Sequence, residues 1–146
     1  MDAIILTLIS FVGLYAGLVI ALLAKEELKI GKKYFVFLQK ILFLLMLFFL
    51  FFEVGWLWIA VLLVVVFVVL FIFLKKDFHR LIYIALGAFL FFSVSLTIPV
   101  LVFLYGILTA SIFVLENKHN KVWGLFKKYY LFLVLFFVLY FAKFLL

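Results

Sequence analysis

The chain has 146 residues, of which 73% are hydrophobic and 13% charged, with a formal net charge of +7 and no cysteine. A soluble domain of this size could not bury so much apolar surface, because its interior is small relative to its exterior. The composition therefore excludes a soluble globular domain, and the missing cysteine excludes disulfides and thiolate metal sites. It predicts an all-α, polytopic helical bundle in the membrane.

The first apolar block, residues 3–24, predicts a transmembrane helix. A cleaved secretory signal has a basic segment before a shorter apolar run, whereas only Asp2 flanks this block. We therefore expect it to be retained as the first span. On one of its faces, small residues recur at four-residue intervals, a spacing typical of closely packed membrane helices: Gly13, Gly17 and Ala21. This stripe could pack within the chain or against a partner subunit.

The charged segment 25–33, "KEELKIGKK", predicts a basic loop, and the apolar block 34–52 after it predicts the second span. Gln39 and Lys40 form the one strongly polar pair in that span. The Lys40 stem is long enough to carry its ammonium back to the basic surface, the interpretation we favour. A binding role is the alternative, because ionisable groups inside membranes often serve function. The ligand-lining candidates are then Tyr15, Gln39, Lys40, Tyr105 and Thr109.

The second block ends at "EVG", and a third apolar block, 56–74, follows. One continuous helix would carry Glu53 into lipid, which is costly. Gly55 supplies turn freedom, and Trp56 and Trp58 suit the membrane interface. The segment therefore predicts a tight hairpin.

The run 81–115 carries no charged residue, and as one helix it would be about 52 Å long, against a bilayer core of about 30 Å. Near its middle, Ser95 or Thr97 can cap a new helix, and Pro99 suits a first turn. A fold-back there gives two spans, 81–95 and 98–115. It would also set two glycines at matched depth, facing each other: Gly87 and Gly106. A single helix kinked at Pro99 is the alternative.

The distribution of basic residues favours the fold-back. A last block, 129–146, then makes six spans, with the basic loops 25–33, 75–80 and 116–128 on one side. These loops hold eleven of the 13 basic residues: Lys25, Lys29, Lys32, Lys33, Lys75, Lys76, Arg80, Lys118, Lys121, Lys127 and Lys128. The positive-inside rule makes that side cytoplasmic and both termini external. The same rule explains the net charge of +7, so no nucleic-acid partner is needed to account for it.

The composition also bears on source and location. All basic residues except Arg80 are lysines, and 23 residues are phenylalanine, as AT-rich coding would produce. We therefore expect a prokaryotic protein, with the whole chain forming a single transmembrane domain of the plasma membrane.

The first and last cytoplasmic hairpins resemble each other. Leu14-Tyr15, Leu18 and Glu26 recur with the same spacing as Leu104-Tyr105, Leu108 and Glu116. The match would fit a parallel internal repeat, an arrangement known among transporters. We favour the simpler interpretation, a residue pattern that membrane hairpins share, because so few residue types are used.

The predicted cytoplasmic loops hold the residues that could carry chemistry: Asp77, His79, Glu116 and His119. An enzyme acting on lipid head groups would need metal-binding carboxylates or an acid–base pair there. These residues form no specific motif, and pairing with lysines and anionic head groups explains them more simply. We therefore expect no catalysis, cofactor or metal.

Three functions remain, in decreasing order of preference. The first is a non-catalytic accessory subunit that acts by helix packing in the bilayer, with another membrane protein as partner. The second is a small carrier for an apolar or amphipathic solute. The third is a lipid-head-group enzyme.

Overall fold

The computed structural model describes residues 3–53, 55–73, 79–93, 95–116 and 121–145. Within these ranges the chain is all-helical, as predicted. The helices are α1 (Ala3–Leu23), α2 (Lys25–Glu53), α3 (Leu57–Phe73), α4 (His79–Phe92), α5 (Thr97–Glu116), α6 (Lys121–Tyr129) and α7 (Leu131–Leu145). In the described part of the chain, four segments are long and apolar enough to cross a membrane: Ile4–Leu23, Ile30–Glu53, Thr97–Glu116 and Val122–Ala142.

The prediction of a basic loop at 25–33 is wrong. Helix α2 begins at Lys25, directly after Ala24, and the Leu28 amide donates to the Ala24 carbonyl at 3.1 Å. Lysine and glutamate are good helix formers, and Glu26 and Glu27 favour the positive end of the helix dipole. Helix α2 therefore has 29 residues and is about 44 Å long, longer than a bilayer core.

The boundary predicted before the last span is also wrong. Residues 121–129 form α6 rather than part of a loop, and only Tyr130 separates α6 from α7. The Tyr130 amide donates to Phe126 at 2.9 Å and the Val134 amide to Tyr130 at 3.2 Å, so the two helices are nearly continuous. The predicted loop segments 75–78 and 117–120 lie outside the described residues.

Both predicted reversals are present. Gly55, with φ of 80°, lies between α2 and α3, and its amide donates to the Phe52 carbonyl at 3.0 Å. Helix α4 ends at Phe92, and α5 begins at Thr97, whose amide donates to the Ser95 hydroxyl at 3.2 Å. Because α4 and α5 are separate helices, the run 81–115 is not one kinked span.

The two reversals lie at the same end of the bundle, which we call the turn end. The Ser95 hydroxyl donates to the Glu53 carboxylate, joining the end of α2 to the connection between α4 and α5. At the opposite end, Lys32 pairs with Glu116 at 3.2 Å, and Lys128 lies 5.3 Å from the centre of the Phe113 ring. We call this the lysine end.

Helix α5 is the centre of the bundle and the helix with the most buried residues. It packs most closely on α1, which runs in the same direction, because Gly13 meets Phe103 and Gly17 meets Ile107. It also packs on α2, which runs oppositely. Helix α4 packs on α7, and α3 lies at the edge, mainly against α2.

Candidate functional site

The interior of the bundle holds a cluster of buried polar side chains between α2, α4 and α5. Gln39, on α2, is only 2% exposed, and its Nε2 donates to the Thr109 hydroxyl at 2.8 Å. That hydroxyl donates in turn to the Tyr105 carbonyl one turn earlier in α5, also at 2.8 Å. Gln39 faces inward because it shares a helix face with the buried Leu42, Phe43 and Met46.

Tyr83, on α4, completes this polar cluster. Its ring centre lies 6.0 Å from that of Tyr105 and 4.8 Å from that of Tyr129. Its hydroxyl lies 3.3 Å from the position that a Cβ would occupy on Gly106, so the glycine gives the hydroxyl room. Sequence reasoning missed Tyr83, although it is the one polar side chain in the segment 81–92.

Two polar atoms of the cluster are buried without a hydrogen-bond partner in the described part of the chain: Gln39 Oε1 and the Tyr83 hydroxyl. Leaving a buried donor or acceptor unpaired costs about 1–3 kcal/mol. Buried polar groups are usually paired with protein or with a small polar molecule such as water. The unmet hydrogen-bonding capacity of the cluster is that of neutral groups, because it contains no ionised side chain.

The structure brings together three of the five predicted ligand-lining residues, Gln39, Tyr105 and Thr109. Tyr15 is half-buried on α1, with its ring 5.8 Å from that of Phe11. Lys40 is exposed, whereas its neighbour Gln39 is buried. Adjacent residues on a helix point about 100° apart, so the polar pair divides between interior and exterior.

The small-residue stripe of α1 lies against α5. A Cβ on Gly17 would come within 2.5 Å of the Ile107 Cα, and one on Gly13 within 3.0 Å of the Phe103 Cα. Ala21, one turn further along, is fully buried. This face is therefore occupied inside the chain and is closed to a partner subunit.

The prediction that Gly87 and Gly106 face each other is wrong. A Cβ on Gly87 would lie 2.6 Å from the Phe132 carbonyl oxygen on α7, and one on Gly106 would lie 3.0 Å from the Leu14 amide nitrogen on α1. Equal distance from a turn sets depth in a bundle but not the direction in which each helix face points. Gly87 therefore allows α4 to approach α7 closely, whereas Gly106 allows α5 to approach α1.

The residues considered for chemistry at the lysine end are only partly described. Glu116 pairs with Lys32, and both side chains are partly exposed. Asp77 and His119 lie outside the described residues, as does the side chain of His79. Among the residues that are described, no group of three or more His, Cys, Asp or Glu side chains could hold a metal ion.

Comparison of the chain with protein-family models, curated protein sequences and solved structures found no match. The role of the polar cluster therefore rests on its own chemistry, which is that of neutral donors and acceptors held between three helices.

Because Gln39 donates a hydrogen bond to Thr109, we expect substitutions of the two residues to lower the stability of the protein by different amounts. Thr109→Val should cost about 1–3 kcal/mol, because it removes the Thr109 acceptor from a buried amide whose Oε1 already lacks a partner. Gln39→Leu should cost less than about 1 kcal/mol, since it removes the amide altogether. The double variant should be no worse than Thr109→Val alone. Unfolding of the purified protein in mixed detergent micelles measures all three.

Ser111→Ala is the matched control, because the buried Ser111 hydroxyl donates only within its own helix, to the Ile107 carbonyl at 2.9 Å. We expect little change from it. Additive losses in the double variant would contradict the assignment of this hydrogen bond.

Proposed function

We propose that the chain is a six-pass integral membrane protein with its lysine end in the cytoplasm and both termini outside. Helix direction supports this, since α1 and α5 run one way while α2 and α4 run the other. Helix α4 also runs parallel to α6 and α7, because Tyr83 meets Tyr129 of α6, and Gly87 meets Phe132 of α7 further along. These directions are what six crossings require, with α6 and α7 forming the last one.

Charge supports the same orientation. Lys32 and Lys128 lie at the lysine end, close to Glu116 and Phe113 respectively. The turn end holds the Glu53 carboxylate instead. Lysine-rich ends stay on the cytoplasmic side of the plasma membrane, where they also attract anionic lipid head groups.

Within that membrane we propose a non-catalytic role as an accessory subunit that packs against another membrane protein. The outer surface of α3 is the observation that supports it. Helix α3 lies at the bundle edge, with the Phe67 ring 5.2 Å from the Phe43 ring of α2. Eight of its described side chains are exposed hydrophobics, and four of these recur at alternating four- and three-residue intervals: Trp58, Leu62, Val65 and Val69.

This spacing matches the seam by which one helix docks along another. The valines have restricted χ1 angles, so they lose little rotamer freedom when a partner covers them. The stripe on α1, the other face with a packing pattern, is already covered by α5. We therefore assign the partner surface to α3.

Site-specific photo-crosslinking in native membranes tests the assignment. A crosslinking residue at Leu62 or Val65 should capture the same membrane protein, and Trp58→Ala should weaken that capture. The control position is Val19, equally exposed but on α1. Equal capture from Val19, or lipid adducts alone from all three positions, would contradict an accessory role through α3.

A carrier for a small solute is the second candidate, and the unpartnered Gln39 Oε1 and Tyr83 hydroxyl favour it. Because the cluster is neutral, the solute would be an uncharged hydrogen-bonding molecule. Liposomes containing the purified chain should then pass urea or glycerol in a light-scattering assay, and Tyr83→Phe should slow that passage. Passage equal to that of empty liposomes would remove this candidate.

A further inference from the structure

A shallow groove of about 690 Å³ runs along the outer surface of α6 and α7. Only apolar and aromatic residues line it, from Phe126 at one end to Ala142 at the other. At 1.5 Å per residue the lining extends over about 24 Å. Aromatic rings such as Phe137 and Phe141 alternate along it with the smaller Val134 and Val138, which is what leaves the surface concave.

One end of this groove leads to a cation. The Trp123 ring stacks on Phe126 with centres 5.8 Å apart, and Phe126 stacks on Tyr130 with centres 6.3 Å apart. Lys127 is exposed and falls on the same helix face, four residues after Trp123 and three before Tyr130. Tryptophan, tyrosine and lysine are the residues that membrane interfaces favour.

In the proposed orientation, the lysine also lies close to the cytoplasmic end of the bundle. Its neighbour Lys128 sits 5.3 Å from the centre of the Phe113 ring, less than one turn inside Glu116, which ends α5. An acidic head group bound at Lys127 would therefore lie at the membrane surface while the groove extends into the hydrocarbon. One leaflet with its head groups is about 20–22 Å thick, close to the length of the groove.

From these observations we infer that the α6–α7 groove is a binding site for one anionic phospholipid, with an acyl chain along the groove and the phosphate at Lys127. The volume lies in the range of about 300–1,000 Å³ that suits a single small ligand. The inference rests on the proposed placement in the bilayer and is independent of any partner on α3.

Native mass spectrometry of the purified chain from mixed micelles tests it, with phosphatidylglycerol and phosphatidylcholine of identical acyl chains as probes. We expect one retained phosphatidylglycerol, at about a fivefold preference over phosphatidylcholine, the value that one lysine near an anionic lipid supplies. Lys127→Gln should abolish the preference. Val138→Trp, which fills the groove, should abolish retention of both lipids.

Val19→Trp is the matched control, because Val19 is 54% exposed on α1 and Val138 is 58% exposed on α7. It should keep the bound phosphatidylglycerol. Equal retention of both probes by the unmodified chain, or equal loss in the two tryptophan variants, would overturn the inference. Neither result would bear on crosslinking from Leu62, so the two proposals can fail separately.

Discussion

A single methyl group added at Gly17 is expected to lower the free energy of unfolding by about 3 kcal/mol. The new Cβ in Gly17→Ala would lie 2.5 Å from the Cα and 2.8 Å from the carbonyl carbon of Ile107. These are backbone atoms of the most buried helix, so no side-chain rotation can relieve the clash. Helices α1 and α5 must separate, and the loss of contact spreads along both.

The same substitution at Gly31 is the control. A Cβ there would meet only the Phe35 side chain, at 3.0 Å, which can turn away. Alanine is a better helix former than glycine by about 1 kcal/mol, so Gly31→Ala should be neutral or stabilising. Unfolding in mixed detergent micelles, followed by circular dichroism, compares the two variants. Equal midpoints would show that α1 does not need close approach to α5.

The turns were predictable because their chemistry is local. Gly55 adopts a backbone angle that favours glycine, and Ser95 accepts a hydrogen bond from the first turn of α5. The predicted loops at 25–33 and 121–128 were wrong for an equally local reason, because charge was taken as a break in the helix. Lysine and glutamate are good helix formers, so residues 25–33 form the first turns of α2.

The candidate site was less predictable, because it depends on which helix faces meet. Sequence spacing placed Gln39 inside a span, but its partner Thr109 lies 70 residues away on α5. Tyr83 joined the cluster only because α4 packs beside α5 with Gly106 opposite its hydroxyl. Helix rotation of this kind is set by the packing of the whole bundle.

The alternative of an internal repeat has a counterpart in the packing. Leu14-Tyr15 and Leu104-Tyr105 are 90 residues apart in the sequence. Gly13 meets Phe103 and Gly17 meets Ile107, pairs that are also 90 residues apart. Corresponding residues of the two hairpins therefore lie side by side on parallel helices, as a duplication about an axis normal to the membrane would place them. The repeat itself stays a hypothesis.

The proposed topology makes an all-or-none prediction. Because the chain has no cysteine, single-cysteine variants report one position each. An impermeant maleimide should label Leu96→Cys, in the connection between α4 and α5, in intact cells. Ile30→Cys, exposed near the lysine end of α2, should be labelled only after permeabilisation.

Lys76→Cys decides the number of crossings, although Lys76 itself lies outside the described residues. The directions of α1, α2, α5 and α7 are the same whether α3 and α4 both cross the membrane or neither does. Helix α3 has 17 residues and α4 has 14, about 26 Å and 21 Å of helix, so α4 would need local thinning of the bilayer. Six crossings protect Lys76→Cys in intact cells, whereas four crossings expose it to the maleimide. With four crossings, three basic residues would lie outside the cell: Lys75, Lys76 and Arg80. That would contradict the positive-inside rule, which keeps lysine and arginine in the cytoplasm.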